Sequence, residues 1–179
     1  MSTTDTRETI MAVAKAMVQA RGYNALSFRE IAKDIGIKSA SIHYHFPTKA
    51  ELGAALAKRY TEDALEGLEQ LLAADLDLPA KFDRYVSVFR AALLNDNRMC
   101  LYGIMAAEYG DLPPEVRTQV DAFSAANADW LSRLLESDEA RALAIFAAIE
   151  GAQLVARGRG DIAVFDQTIA AYRAAGLAP

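Results

Sequence analysis

The chain contains a single cysteine, Cys100, so it cannot form an internal disulfide. A secreted scaffold stapled by disulfides is excluded, and a reducing compartment, the cytoplasm, is the expected setting. Glycine and proline number 10 and 5 in 179 residues, too few for a collagen-like or low-complexity chain. No apolar run reaches the roughly 18 residues of a membrane-spanning helix, so no membrane partner is expected. Met1-Ser2-Thr3-Thr4-Asp5-Thr6-Arg7-Glu8 lacks the basic start and apolar block of a signal peptide. Alternating β-branched segments are missing as well, which leaves no candidate strand. No GxGxxG, P-loop, HExxH or nucleophile elbow occurs, and Cys100 has no evident triad partners. Neither an enzyme nor a bound cofactor is expected.

What is present is apolar and helical. Hydrophobic residues make up 53% and charged residues 24%, enough for a real core and incompatible with general disorder. Apolar positions recur with helical period almost throughout, which predicts an all-α protein of about nine helices. Ile10, Val13, Ala14, Met17 and Val18 form one stripe on a first helix over 5–21, and Gly22 stops it. Ser27-Phe28-Arg29-Glu30 reads as a capping box opening a second helix that ends at Gly36. A third covers 39–45, and Thr48 caps a long fourth from Lys49 to about Leu72. A fifth ends near Leu94. A sixth is expected over 98–109, a seventh to about Leu135, and an eighth from Ser137-Asp138 to about Arg157. The ninth runs to about Ala175.

Charge is unevenly spread. Net charge is −5, yet the first 52 residues carry seven Lys/Arg against five Asp/Glu and the remainder 12 against 19. A mildly basic N-terminal module on an acidic body is an asymmetry that can orient a protein on DNA.

Residues 28–46 have the features of a helix-turn-helix. Ile31 and Ile35 face inward, Ala32 is small where the helices cross, Gly36 supplies the turn, and Ile37 and Ile42 close a small core. Lys38, Ser39, Ser41, His43 and Tyr44 are then exposed, groups suited to phosphates and base edges in a major groove. The same pattern also suits a plain surface αα-corner. His43-x-His45 lacks a third ligand nearby, so no metal is expected.

The stretch Gly36-Ile37-Lys38-Ser39-Ala40-Ser41-Ile42-His43-Tyr44-His45-Phe46-Pro47-Thr48-Lys49-Ala50-Glu51-Leu52 closely resembles the TetR/AcrR family of transcriptional regulators, and Gly22 to Ala32 also matches. The family's usual pattern is Gly-Val-Ser-x-Gly-x-Leu-Tyr-x-His-Phe-x-Ser-Lys-x-x-Leu. This chain has His43 where tyrosine is usual, with Tyr44 next, and Ala40 where glycine is usual. The resemblance spans about residues 10–55 and implies a DNA-binding domain over 1–48 and a helical effector-binding and dimerisation domain over 49–179. It implies DNA contacts by Ser27, Arg29, Lys38, Ser39, Ala40, Ser41, His43, Tyr44 and His45, with Lys49 on a phosphate at the start of the fourth helix.

The eighth helix is apolar nearly all round, with Leu143, Phe146, Ala147 and Leu154 on one face and Ile145, Ile149, Ala152 and Ala156 on another. A helix buried on two sides needs both a core and a partner. By resemblance, Ile145, Ile149, Ala152 and Ala156 join Ile162, Phe165, Ile169 and Tyr172 of the ninth helix in a homodimer interface. Helices five to eight are then expected to enclose a small-molecule effector. Its expected lining is Tyr85, Phe89, Cys100, Ile104, Met105, Glu108, Phe123, Asn127, Trp130, Phe146 and Glu150. Glu108 and Glu150 sit on largely apolar faces and are expected to bind a ligand, pair with arginine or face water. The stretch Met99 to Glu108 also resembles a branch of the family that senses electrophiles through a cysteine, which makes Cys100 a candidate sensor beside Arg98. The implied function is a ligand-responsive repressor that binds a palindromic operator as a homodimer. The alternative is a helical dimeric interaction protein that no longer reads DNA.

Overall fold

The computed structural model describes residues 3–179, and side chains from Asp5 onward. The first two residues of the expected N-terminal domain lie outside this range. The described residues form nine α-helices: α1 (Thr3–Arg21), α2 (Phe28–Ile35), α3 (Ser39–His45), α4 (Lys49–Ala73), α5 (Leu78–Leu94), α6 (Leu101–Ala107), α7 (Pro114–Leu135), α8 (Glu139–Arg159) and α9 (Ile162–Ala174). A single 3-10 turn, Tyr109–Asp111, follows α6.

Local chemistry sets most helix ends. Ser27, Thr48, Asp77 and Asp138 each accept a backbone N–H of the first turn of α2, α4, α5 and α8. Only half of the expected capping box at Ser27 forms, because the Glu30 carboxylate turns to Arg21 at 2.7 Å. Gly36 takes φ 72°, a left-handed conformation that costs glycine little, and Ile37 N–H closes the turn onto Ala32 O at 3.0 Å.

The sixth helix is shorter than the expected 98–109. Met99 N–H donates to Gln19 O at 3.3 Å, which holds Met99 in an inter-helix link. Cys100 is the cap rather than a helical residue, and its sulfur accepts Gly103 N–H at 3.1 Å.

Two apolar clusters hold the molecule together. The first joins Ile10, Ala14, Ile31, Ile42 and Phe46 of the N-terminal helices to Leu52, Met105 and Val116 of α4, α6 and α7. The second contains Phe82, Trp130, Leu131, Phe146, Ile149 and Phe165 from α5, α7, α8 and α9. The N-terminal helices thus complete their core with body residues, as expected where about 45 residues alone bury too little surface to be stable. Tyr60 and Tyr102 pack against both clusters.

The expected dimer residues need correcting. Ile145, Ile149, Ala152, Ala156, Phe165 and Ile169 are buried within the chain's own second cluster, and Ile162 and Tyr172 pack against it. The six buried ones have no surface left for a partner, whereas Ile162 and Tyr172 are half-buried and keep some. The opposite face of α8 is the exposed one, with Leu143 at 47%, Leu154 at 55% and Val155 at 49% exposure. Helical period shows two apolar faces but not which one α5 and α7 cover.

The end of α1 is where the N-terminal helices meet the body. Gln19 Nε2 donates to Met99 O at 3.1 Å, and Arg157 donates to Ala20 O at 2.7 Å. Glu108, at the end of α6, accepts the backbone N–H of Tyr23 and Asn24. Gly22 has φ 90°, and a Cβ there would lie 2.6 Å from Glu108 Oε1. Gly22→Ala therefore adds backbone strain and displaces this carboxylate. We expect a loss of about 2 kcal/mol or more in urea unfolding; an unchanged midpoint would show that the junction does not depend on this close approach.

Candidate DNA-reading surface and interior cavity

α2 and α3 present one polar face. Arg29, Lys38, Ser39, Ala40, His43 and Tyr44 are exposed, and Tyr44 is 75% exposed. Ser41 and His45 are half-buried beside them, and Ser27 is held in its capping bond. Phe28 meets the His43 ring edge-on at 4.9 Å, and Tyr44 meets His45 at 5.2 Å. His43 Nδ1 lies 3.2 Å from Pro47 O. A carbonyl only accepts, so Nδ1 carries the hydrogen in this contact.

Lys49 does not project with this group. Its ammonium donates to Asn24 O at 3.0 Å and lies 4.8 Å from the centre of the Tyr23 ring. Partial burial lowers its pKa, partly opposed by Glu108. Lys49 therefore ties α4 to the loop after α1. Its identity suggested a phosphate contact, and only the fold shows the competing carbonyl.

The expected effector lining divides. Tyr85, Phe89, Phe123 and Asn127 do line a cavity of about 480 Å³. α4, absent from the expected set, forms one wall with Tyr60, Asp63, Leu68 and Leu71, and Lys15 of α1 reaches the same space. Tyr60, Phe123 and Tyr102 stack in sequence at 5.2 Å spacings. Tyr85 donates to Asn127 Oδ1 at 2.9 Å, and Asn127 in turn donates to Phe123 O.

The remaining candidates lie elsewhere. Trp130 packs at a tilt against Tyr85, outside the cavity lining, and donates to Leu68 O at 2.7 Å. Phe146 backs Phe89 and Phe123. Ile104 and Met105 belong to the core shared with the N-terminal helices, and Glu108 belongs to the junction. Alternation on a helix identifies an inward face; it does not say whether that face meets a cavity or another side chain.

Behind the cavity lies a buried polar cluster. Cys100 Sγ donates to Glu150 Oε1 at 2.9 Å, and Cys100 N–H donates to Gln153 Oε1 at 3.0 Å. Gln153 Nε2 satisfies Phe89 O at 2.7 Å. Glu150 Oε2 is buried with no partner among the described residues. Burial raises the Glu150 carboxyl to about 7, although the bond from Cys100 opposes this. Burial and the neighbouring carboxylate push the Cys100 thiol well above its ordinary value. The expected helix-stabilised thiolate is therefore not what the fold provides. Gln153 was missed at the sequence level, where it looks like an ordinary helix-surface residue.

A two-helix unit with an exposed polar second helix, packed on an all-helical body that carries a cavity open to solvent, is the arrangement of a helix-turn-helix DNA-binding regulator. Among the described residues, no helix is long and apolar enough to cross a membrane. None of their His, Cys, Asp and Glu side chains form a group of three able to hold a metal. Residues 10–56 match the family described as bacterial regulatory proteins, tetR family. A TetR transcriptional regulator from Legionella pneumophila is 34% identical, with TM-score 0.85, covering 91% of this chain and 92% of that one. The chain belongs to the TetR family of transcriptional regulators, which are DNA-binding proteins and not enzymes. The HTH-type transcriptional activator FasR of Mycolicibacterium smegmatis is 26% identical over 132 residues, covering 74% of this chain and 59% of that protein. The HTH-type transcriptional repressor NemR of Escherichia coli K12 is 24% identical over 141 residues, covering 74% of this chain and 68% of that protein. The chain thus spans less than two thirds of FasR.

The buried cluster generates two expectations. An unfolded glutamate releases its proton near pH ~4.3, whereas Glu150 in the fold holds it to about 7. Between those values the folded state binds more protons, so stability falls as pH rises and levels off above about 7. At ~1.36 kcal/mol per pH unit, that difference corresponds to roughly 4 kcal/mol at most. Glu150→Gln should flatten that part of the stability profile; parallel curves for the two proteins would contradict it. Iodoacetamide at neutral pH should label Cys100 at least about tenfold more slowly in the folded chain than in denaturant, and equal rates would show an open thiolate.

Proposed function

We propose that this protein is a homodimeric, effector-responsive repressor that works in the cytoplasm on a two-fold symmetric operator. The observation that carries this reading is the exposed row on α2 and α3. Arg29, Lys38, Ser39, His43 and Tyr44 stand exposed and free of intramolecular ion pairs among the described residues. Lys38 and Arg29 suit phosphates, and Ser39, Ala40, Ser41, His43 and Tyr44 suit base edges. Ser27 and His45 support the row from the side. One such helix reads few base pairs, so a dimer on paired half-sites supplies specificity.

The dimer surface in this reading is the outer face of α8 and α9. Leu143, Ala147, Gly151, Leu154 and Val155 lie exposed there, flanked by Ala170 and Ala174. These residues are apolar or small, which lets two helix pairs approach closely. An effector in the cavity would favour a spacing of the two reading helices that does not fit the operator. DNA and effector then oppose each other with a coupling of typically ~1–3 kcal/mol. Electrophile sensing by Cys100 is not part of this reading, because its thiol is buried, keeps its proton and donates it to Glu150.

The test is selection of binding sites from a random duplex library with purified protein. Enrichment of a two-fold symmetric sequence is expected, with binding that weakens steeply in salt. Lys38→Ala should lower the salt slope by about 1. Leu154→Glu should yield monomers in light scattering and lose operator binding while helicity is kept. No enrichment, or a Leu154→Glu protein that remains dimeric and competent, would point to a helical interaction protein or to a different interface.

A further inference from the structure

Lys15 belongs to α1, in the N-terminal unit, yet it forms part of the wall of the body's cavity. Its ammonium lies over the Tyr60 ring of α4, 5.0 Å from the centroid. Arg84 of α5 is a second cation at the rim of the same wall, exposed to water, whereas Lys15 is half-buried. Among the described residues, neither has a carboxylate oxygen within 4.0 Å. Asp63 is the single acid in the lining, and it is exposed to water. Glu150 and Cys100 stand behind Tyr60 and Tyr85, outside the lining. The interior is apolar and aromatic, with the rings of Tyr60, Tyr85, Phe89 and Phe123 around about 480 Å³. That is the volume range of small-molecule sites.

These groups discriminate between ligand charges. A cationic ligand would meet Lys15 and Arg84 and would compete with Lys15 for the face of Tyr60. A neutral one would leave Lys15, half-buried over Tyr60, without a counter-ion. An anion attached to a flat apolar body supplies one, and rings favour stacking against rings. Resting on the effector-responsive reading above, we propose that the cavity binds an aromatic carboxylate, with its ring system among Tyr60, Tyr85, Phe89 and Phe123 and its carboxylate paired to Lys15. Lys15 shares its helix with Ile10, Ala14 and Val18, which pack against α2 and α3. A carboxylate that draws Lys15 off Tyr60 therefore acts on the helix that carries the DNA-reading pair, with no intervening element.

The test uses the full chain and three matched probes: 2-naphthylacetic acid, 2-naphthylacetamide and 2-(2-naphthyl)ethylamine. Calorimetry gives their affinities, and fluorescence anisotropy of the selected duplex gives their effect on DNA binding. The acid is expected to bind at least about tenfold more tightly than the amide, with the amine weaker than both. Lys15→Met keeps the apolar stem and should bring the acid down to the level of the amide. The amide's own affinity should stay within about twofold, which also shows that the variant is folded. Asp63→Asn should strengthen the acid severalfold. Equal binding of acid and amide, preference for the amine, an acid-to-amide ratio unmoved by Lys15→Met, or no binding of any probe would each overturn the proposal. Lys15-dependent binding of the acid that leaves DNA affinity unchanged would support the site and instead overturn the effector-responsive reading.

Discussion

The last turn of α1 is the constraint on which the rest depends. The final carbonyls of a helix have no partner within it and must find one elsewhere when water is excluded. Here the body supplies the partners. Met99 N–H takes Gln19 O, and Arg157 takes Ala20 O. Immediately beyond, Glu108 collects the N–H groups of Tyr23 and Asn24, and Lys49 takes the Asn24 carbonyl. Residues from α4, α6, α8 and the link before α6 thus meet at one helix end. The direction in which α2 and α3 point is a property of the body as much as of the N-terminal helices.

The aromatic groups give the body its second organising feature. Tyr60, Phe123 and Tyr102 stack in a column between the two apolar clusters, and Tyr60 and Tyr102 touch both. One side of this column faces the cavity, through Tyr60 and Phe123. The Tyr60 hydroxyl reaches toward Leu101 and Cys100, at the start of α6. A molecule that displaces Tyr60 therefore touches α1 through Lys15 and α6 through Cys100. Both elements end at the junction described above, α1 at Arg21 and α6 at Ala107 beside Glu108.

The buried Glu150–Cys100 pair shows how neighbours reverse an expectation. A cysteine at a helix start near arginine suggests a stabilised thiolate. In the fold, the nearest charge is a carboxylate, and both groups are dry. Desolvation and a like-charged neighbour each disfavour ionisation of the thiol, so the sulfur keeps its proton and donates it in the bond to Glu150. Residues 100 and 150 are fifty positions apart, and nothing local to either announces the other.

The sequence by itself determined what depends on neighbours a few residues away. Helical period placed nine helices, and Ser27, Thr48 and Asp138 marked starts because a cap bonds to N–H groups within its own first turn. Gly36 marked the turn of the DNA-reading pair because its left-handed φ is a local requirement. The exposed row on α2 and α3 was legible for the same reason, since two short helices and one turn settle which residues face out. Tertiary structure alone decided which apolar face of α8 is covered, which side chains meet the cavity, and where the Lys49 ammonium goes. Those outcomes depend on contacts between residues far apart in the chain, and an apolar stripe or a free cation suits many such partners equally until packing selects one.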